Sequence, residues 1–166
     1  MAEKSLEPSA EATKEQLLKR VALDLTGLPP QPDELGEDDW QAIVDRKLDS
    51  PHHGERLAMW WLDAARYADT NGYQSDGVRD MWRWRDWVID AFNKDKPFDE
   101  FVREQIAGDI LARNGSAEEY ASRVTATGFL AIGKRYGYKA SPDYQHLDFA
   151  DVIDTLGRSL LGLSVG

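Results

Sequence analysis

The chain has 166 residues, enough for one domain to bury a core without covalent staples. It contains no Cys, which excludes disulfides, thiolate metal sites, a Cys nucleophile and covalently attached c-type haem within these residues, so no cofactor is expected in the fragment itself. A formal net charge of -10, from 30 acidic against 20 basic residues, disfavours nucleic acid and anionic lipid as partners, since both want a cationic surface.

Residues 1 to 12 are small, charged and aperiodic, and read as a disordered or loosely attached lead without the basic-then-apolar order of a signal peptide. A first helix starts near Thr13, with Gln16 completing a capping box and Leu17, Leu18, Val21 and Leu25 as its apolar stripe. Gly27 and Pro29-Pro30 end it. A second helix spans about Asp39 to Leu48, burying Trp40, Ile43, Val44 and Leu48. A third, about Gly54 to Ala68, carries Leu57, Trp60, Trp61, Ala64, Ala65 and Ala68 at steps of three and four. The loop DTNGYQSDG separates it from a fourth helix, about Asp80 to Asn93, which buries Met81, Trp84, Val88, Ala91 and Phe92.

Lys96-Pro97 opens a fifth helix lined by Phe98, Phe101, Val102 and Ile106. Ser116 and Glu119 repeat the capping-box spacing before a sixth, which carries Tyr120, Val124, Thr127 and Ala131. GKRYGYKASPDYQ is a long polar loop, and the last helix, about Leu147 to Leu163, presents Phe149, Val152, Ile153, Leu156, Leu160 and Leu163. No segment alternates with period two, and no apolar run reaches the roughly 20 residues of a membrane span. The expectation is an all-α fold, a single compact domain of six or seven helices over residues 13 to 166. The apolar ending LGRSLLGLSVG favours a fragment excised from a larger multidomain protein.

The stretch Ser50 to Trp87 holds five of the six Trp and two of the three His. Trp60, Trp61, Trp82, Trp84 and Trp87 cannot all face one core; Trp84 and Trp87 share a helix face, and Trp82 points away from it. With Arg79, Arg83 and Arg85 between them, these rings make either a core roofed by arginine stems or a docking surface, with His52, Trp82, Arg83 and Arg85 as partner-docking candidates. His52 and Glu55 are three apart, a spacing found in metal sites and equally in helix caps. The loop from Asp69 to Asp76 offers oxygen ligands at Asp69, Asn71 and Asp76 for a hard cation such as calcium, but it fails the EF-hand template. An Asx-type turn after a helix is the other reading. Asp63, Asp69 and Asp76 are the carboxylates available to a glycosidase-like pair. No GxSxG, GxxxxGK[ST], GxGxxG or HExxH occurs, so the sequence leaves open whether the chain is an enzyme.

The blocks RVALDLTGLPPQP, SPHHGERLAMWWLDAARYADTNGY, WRWRDWVIDAFNKDKPFDEFVREQIAGDIL, FLAIGKRY and DTLGRSLLGLSVG, in that order over about Leu17 to Gly166, resemble the planctomycete cytochrome-c-associated domain of unknown function 1549, also called the planctomycete cytochrome C-like second domain. The resemblance implies a large secreted or envelope-associated protein, periplasmic or in the cell envelope. In such proteins a cytochrome c domain precedes this one and a further domain follows. It also implies a Cys-x-x-Cys-His segment after the block that matches Leu160 to Gly166, so that haem c belongs to the full-length protein. The function expected on this basis is a non-catalytic, redox-linked helical scaffold that docks a cytochrome c domain or other domains of the same polypeptide. An envelope polysaccharide-acting enzyme domain and a calcium-stabilised structural module are the alternatives.

Overall fold

A computed structural model describes residues 9–73, 76–134 and 142–164. Among these the chain is all-α. Its eight α-helical segments, one of them a single turn, are joined by turns, and the only pairing of extended backbone among the described residues is one bridge between Thr70 and Val78. Residues 1–8 of the expected lead and residues 135–141 of the expected polar loop lie outside the described residues. The chain divides into two compact units, Met1–Arg56 and Leu57–Gly166.

The first unit contains α1 (Lys14–Thr26), a 3-10 turn (Pro32–Gly36), α2 (Trp40–Leu48) and the first residues of α3 (Pro51–Ala64). Helix α1 begins where the capping box places it: Thr13 accepts from the Gln16 amide, and the Gln16 side chain accepts from the Thr13 amide. Gly27 closes it at φ 70, a left-handed ending that glycine adopts without strain. Asp39 caps α2 by accepting from the Ala42 amide.

The buried faces differ from the apolar stripes in the sequence. In α1 the inward residues are Leu18, Ala22 and Thr26, while Leu17 is exposed. In α2 they are Ile43 and Lys47, and Trp40 and Leu48 face solvent. The physical reason lies in the 3-10 turn. It carries Glu34 inside, 2 % exposed, and the Lys47 ammonium follows, 2.7 Å from Glu34 Oε1 and 2.8 Å from Oε2. A buried carboxylate needs its cation beside it, and Lys47 shares a helix face with Ile43 one turn earlier.

The second unit contains the rest of α3, then α4 (Trp82–Asn93), α5 (Phe98–Leu111), α6 (Ala117–Ala126), the single turn α7 (Gly128–Ala131), α8 (Gln145–Leu156) and a π-helical turn (Gly157–Leu161). Its core is aromatic. Phe101 lies 5.0 Å from the Trp61 ring edge-on, 5.5 Å from Trp87 in a stack and 5.3 Å from Phe92. Trp61 also stacks on Phe129 at 5.6 Å. These are the offset and edge-to-face geometries that aromatic quadrupoles favour. The buried Trp61 indole donates to Gln105 Oε1 at 2.9 Å, and the Gln105 amide donates to Phe101 O, so this polar pair is satisfied inside the core. Gly108 lets α5 and α6 touch: a Cβ there would lie 2.1 Å from the Arg123 carbonyl oxygen.

Helix α3 stops at Ala64, short of the expected Ala68. Arg66 takes left-handed geometry at φ 59, and the Tyr67 amide donates back to Leu62 O at 2.8 Å, the six-to-one bond of a Schellman ending. Helix α8 begins at Gln145 and gives way to the π-turn after Leu156, ending at Gly162 in left-handed geometry. Its buried residues are Asp151 and Thr155, while Phe149 and Ile153, expected inside, are exposed.

Candidate functional site

The aromatic cluster divides between core and surface. Trp61, Trp84 and Trp87 are buried, at 9 %, 2 % and 9 % exposure, whereas Trp60 and Trp82 are at 60 % and 43 %. Trp82 is the first residue of α4, and the Arg83 guanidinium carbon lies 5.3 Å from its ring centroid, within cation–π range. Arg85 turns to its neighbour Asp86 instead, with Nε at 2.9 Å and Nη2 at 2.7 Å. That hydrogen bond is the main reason its guanidinium is held more firmly protonated than usual. Of the docking candidates in this unit, Trp82 and Arg83 form a pair and Arg85 stands apart with Asp86. A groove of about 300 Å³ opens beside them, lined by Asp80, Met81, Arg83, Trp84 and Gly128 among others.

His52 belongs to the first unit. It sits in the first turn of α3, exposed, with Nδ1 2.7 Å from Glu55 Oε2. Its neighbour His53 turns Nδ1 to the Leu25 carbonyl at 2.8 Å and ties α3 to α1. Both imidazoles thus engage groups at a helix end.

The loop from Asp69 to Asp76 spends its carboxylates on two backbone amides and the Tyr67 hydroxyl. Asp69 Oδ1 accepts from the Met81 amide at 3.0 Å, at the entry to α4, and Oδ2 accepts from the Tyr67 hydroxyl at 2.6 Å. Burial first, and then that hydrogen bond to an anion, push the Tyr67 phenol up to about 12. Asp76, at φ 41, accepts from the Gly72 amide at 2.6 Å. The Asn71 amide donates to Gly77 O at 2.9 Å beside the Thr70–Val78 bridge. Among the described residues no group of three His, Asp or Glu side chains is placed to hold a metal ion. Gln74 and Ser75 of this loop lie outside the described residues. Asp63 is exposed near the end of α3, and its carbonyl accepts from the Arg66 amide.

Two features escape the sequence reading. Arg79 is a clamp: Nε donates to Thr70 O, Nη1 to Ala131 O and Gly133 O, and Nη2 to Ile132 O, all between 2.9 and 3.1 Å. It fixes the loop to the end of α7.

The second is the orientation of α8. Asp151 receives Arg66 Nη1 at 2.9 Å and Nη2 at 3.0 Å, together with the Lys134 amide at 3.0 Å, and Arg66 also bonds Thr155 Oγ1. The polar pair Asp151 and Thr155, one turn apart, therefore faces inward. Phe149 and Ile153, also one turn apart, stand in solvent at 59 % and 53 %, followed by Leu161 at 67 % and Leu163 at 55 %. The sequence shows this pair at helical spacing, but Asp148 and Asp154 lie in the same helix, so the pattern alone does not single it out.

Among the described residues no helix is long and apolar enough to cross a membrane. The family model PSCyt2, described as a protein of unknown function (DUF1549), matches residues 1–166. Neither the curated proteins nor the solved structures give a match.

Proposed function

We propose, from the premise that the chain belongs to the PSCyt2 family of proteins of unknown function (DUF1549), that it is a non-catalytic helical scaffold that docks a neighbouring domain. The observation that supports this reading is the outward apolar face of α8. A helix that turns Asp151 and Thr155 to its own unit, packs Leu156 against the core and leaves Phe149 and Ile153 in solvent has part of its apolar surface available to something else. The exposed Trp82–Arg83 pair is a second patch of the composition favoured at protein contacts. The prominent polar groups of the second unit support the same reading. Asp69, Arg79 and Asp151 are bonded to backbone groups and to one another's elements, as in a rigid support.

The partner we propose is a cytochrome c domain of the same polypeptide, in a protein of the periplasm or cell envelope. Haem c would reside in the full-length protein, and the scaffold would orient that domain.

The test is a calorimetric titration of this chain with the cytochrome c domain of its own polypeptide. Saturable binding is expected, weakened at least about tenfold when Phe149→Asp and Ile153→Asp are combined, because truncating a desolvated anchor costs about 2 kcal/mol or more. The double variant should melt at the temperature of the parent, since both side chains are already exposed. No binding by the parent chain, or equal binding by the variant, would remove the proposed role of α8.

A further inference from the structure

A small cavity of the second unit, about 90 Å³, is walled by Arg66, Arg79 and Lys134 together with Asn71, Gly72 and Gly133. The three cations come from three separate stretches: the left-handed end of α3, the approach to α4 and the segment after α7. In a chain with a formal charge of -10, three cationic residues around one cavity stand against the overall balance. The carboxylates that touch its walls are Asp151, which holds Arg66 and the Lys134 amide, and Asp76, which holds the Gly72 amide.

The donors differ in what remains available. Arg79 is immobilised by four carbonyl oxygens, so its position is set in advance. Arg66 spends its two η nitrogens on Asp151 and Thr155, and its Nε–H meets no acceptor among the described residues. The Lys134 backbone amide is used, whereas its ammonium pairs with no carboxylate among the described residues. The volume limits the occupant: drug-sized ligands take cavities of roughly 300 Å³ or more, and this one is about 90 Å³.

We propose that this cavity is a binding site for a small tetrahedral oxyanion of the phosphate class. The anion sits between the Lys134 ammonium and the Arg66 Nε–H, against the fixed Arg79. Charge-assisted hydrogen bonds from several directions match the four oxygens of such an ion better than the two of a carboxylate. The site does not depend on the docking role of α8, and its occupancy would brace the loop, α7 and α8 at their common junction.

Thermal unfolding in inorganic phosphate, sulfate, acetate and chloride at one fixed ionic strength tests this, with the ionic strength held constant because screening alone relieves the repulsion of an acidic chain. At phosphate ten times its dissociation constant, Tm should rise by about 3–5 °C, with acetate and chloride giving no such rise. Lys134→Ala keeps the backbone amide that Asp151 uses, so its Tm without phosphate should match the parent. It should bind phosphate at least about tenfold more weakly, as loss of one charge-assisted donor implies, and Lys134→Glu should abolish binding. Broadening of the inorganic phosphate resonance in phosphorus NMR gives an independent readout. An equal Tm rise with acetate or chloride, no saturable phosphate effect, or an unchanged effect in Lys134→Ala would each overturn the site.

Discussion

Asp151 and Arg66, 85 positions apart in the chain, form a two-point ion pair in which Arg66 holds left-handed backbone geometry. Left-handed geometry costs a non-glycine residue about 1 kcal/mol, and the pair, with the Arg66–Thr155 bond, offsets it. The same contact decides which face α8 turns inward, and so creates the exposed apolar face on which the docking proposal rests.

Asp151→Ala should therefore cost about 2 kcal/mol in urea unfolding. A buried pair that loses one partner can cost about 3–5 kcal/mol, but the Arg66 side chain is 37 % exposed and regains water. Amide exchange should show the loss of protection concentrated in α8. Asp99→Ala, which removes an exposed pair with Arg103 one turn away on α5, serves as the control and should stay within about 0.5 kcal/mol.

The Glu34–Lys47 pair predicts a pH dependence for the first unit. Burial acts to raise the Glu34 carboxyl, but the hydrogen bonds from Lys47 and from the Gln31 amide outweigh it and hold the group below its ordinary value of 4.5. A carboxyl depressed in the folded state contributes stability that is complete above the unfolded value and is lost as pH falls through the folded one. The Tm advantage of the parent over Glu34→Gln should accordingly be full at neutral pH and shrink as pH drops below about 4.5. An advantage that stays constant to low pH would show that Glu34 acts through packing alone. Lys47→Ala, which leaves the carboxylate buried and unpaired, should cost about 3 kcal/mol.

Two glycines should rank in a definite order. At Gly108 an added Cβ meets backbone, the Arg123 carbonyl oxygen, at 2.1 Å, so α5 and α6 would have to separate. At Gly128 it meets the Trp84 side chain at 2.7 Å, which can shift only against a packed core. Gly108→Ala should be the more damaging, about 3 kcal/mol or more, and Gly128→Ala about 1–3 kcal/mol, measured by the same unfolding transition. The reverse order would mean that the α5–α6 contact yields more readily than the Trp84 site.

Local chemistry determined much of this protein directly from the sequence. The capping boxes at Thr13–Gln16 and Ser116–Glu119 start α1 and α6, Gly27 ends α1, and the spacing of Trp84 and Trp87 puts both on one face of α4 with Trp82 off it. These outcomes depend on backbone sterics and on neighbours within one or two helical turns, which the order of residues specifies. Only the tertiary structure decided which faces are buried. Lys47 goes inside because Glu34 arrives from the 3-10 turn. Trp60 is exposed beside a buried Trp61 because α3 presents Ala58 and Trp61 to the core, with Ala65 just past its end. The Asp69–Asp76 loop spends its carboxylates on the Met81 and Gly72 amides. Helix α8 turns Asp151 and Thr155 inward because Arg66 waits there. A buried charge is tolerated only beside its partner, and when that partner lies tens of residues away, hydrophobic periodicity alone cannot say which face of a helix goes in.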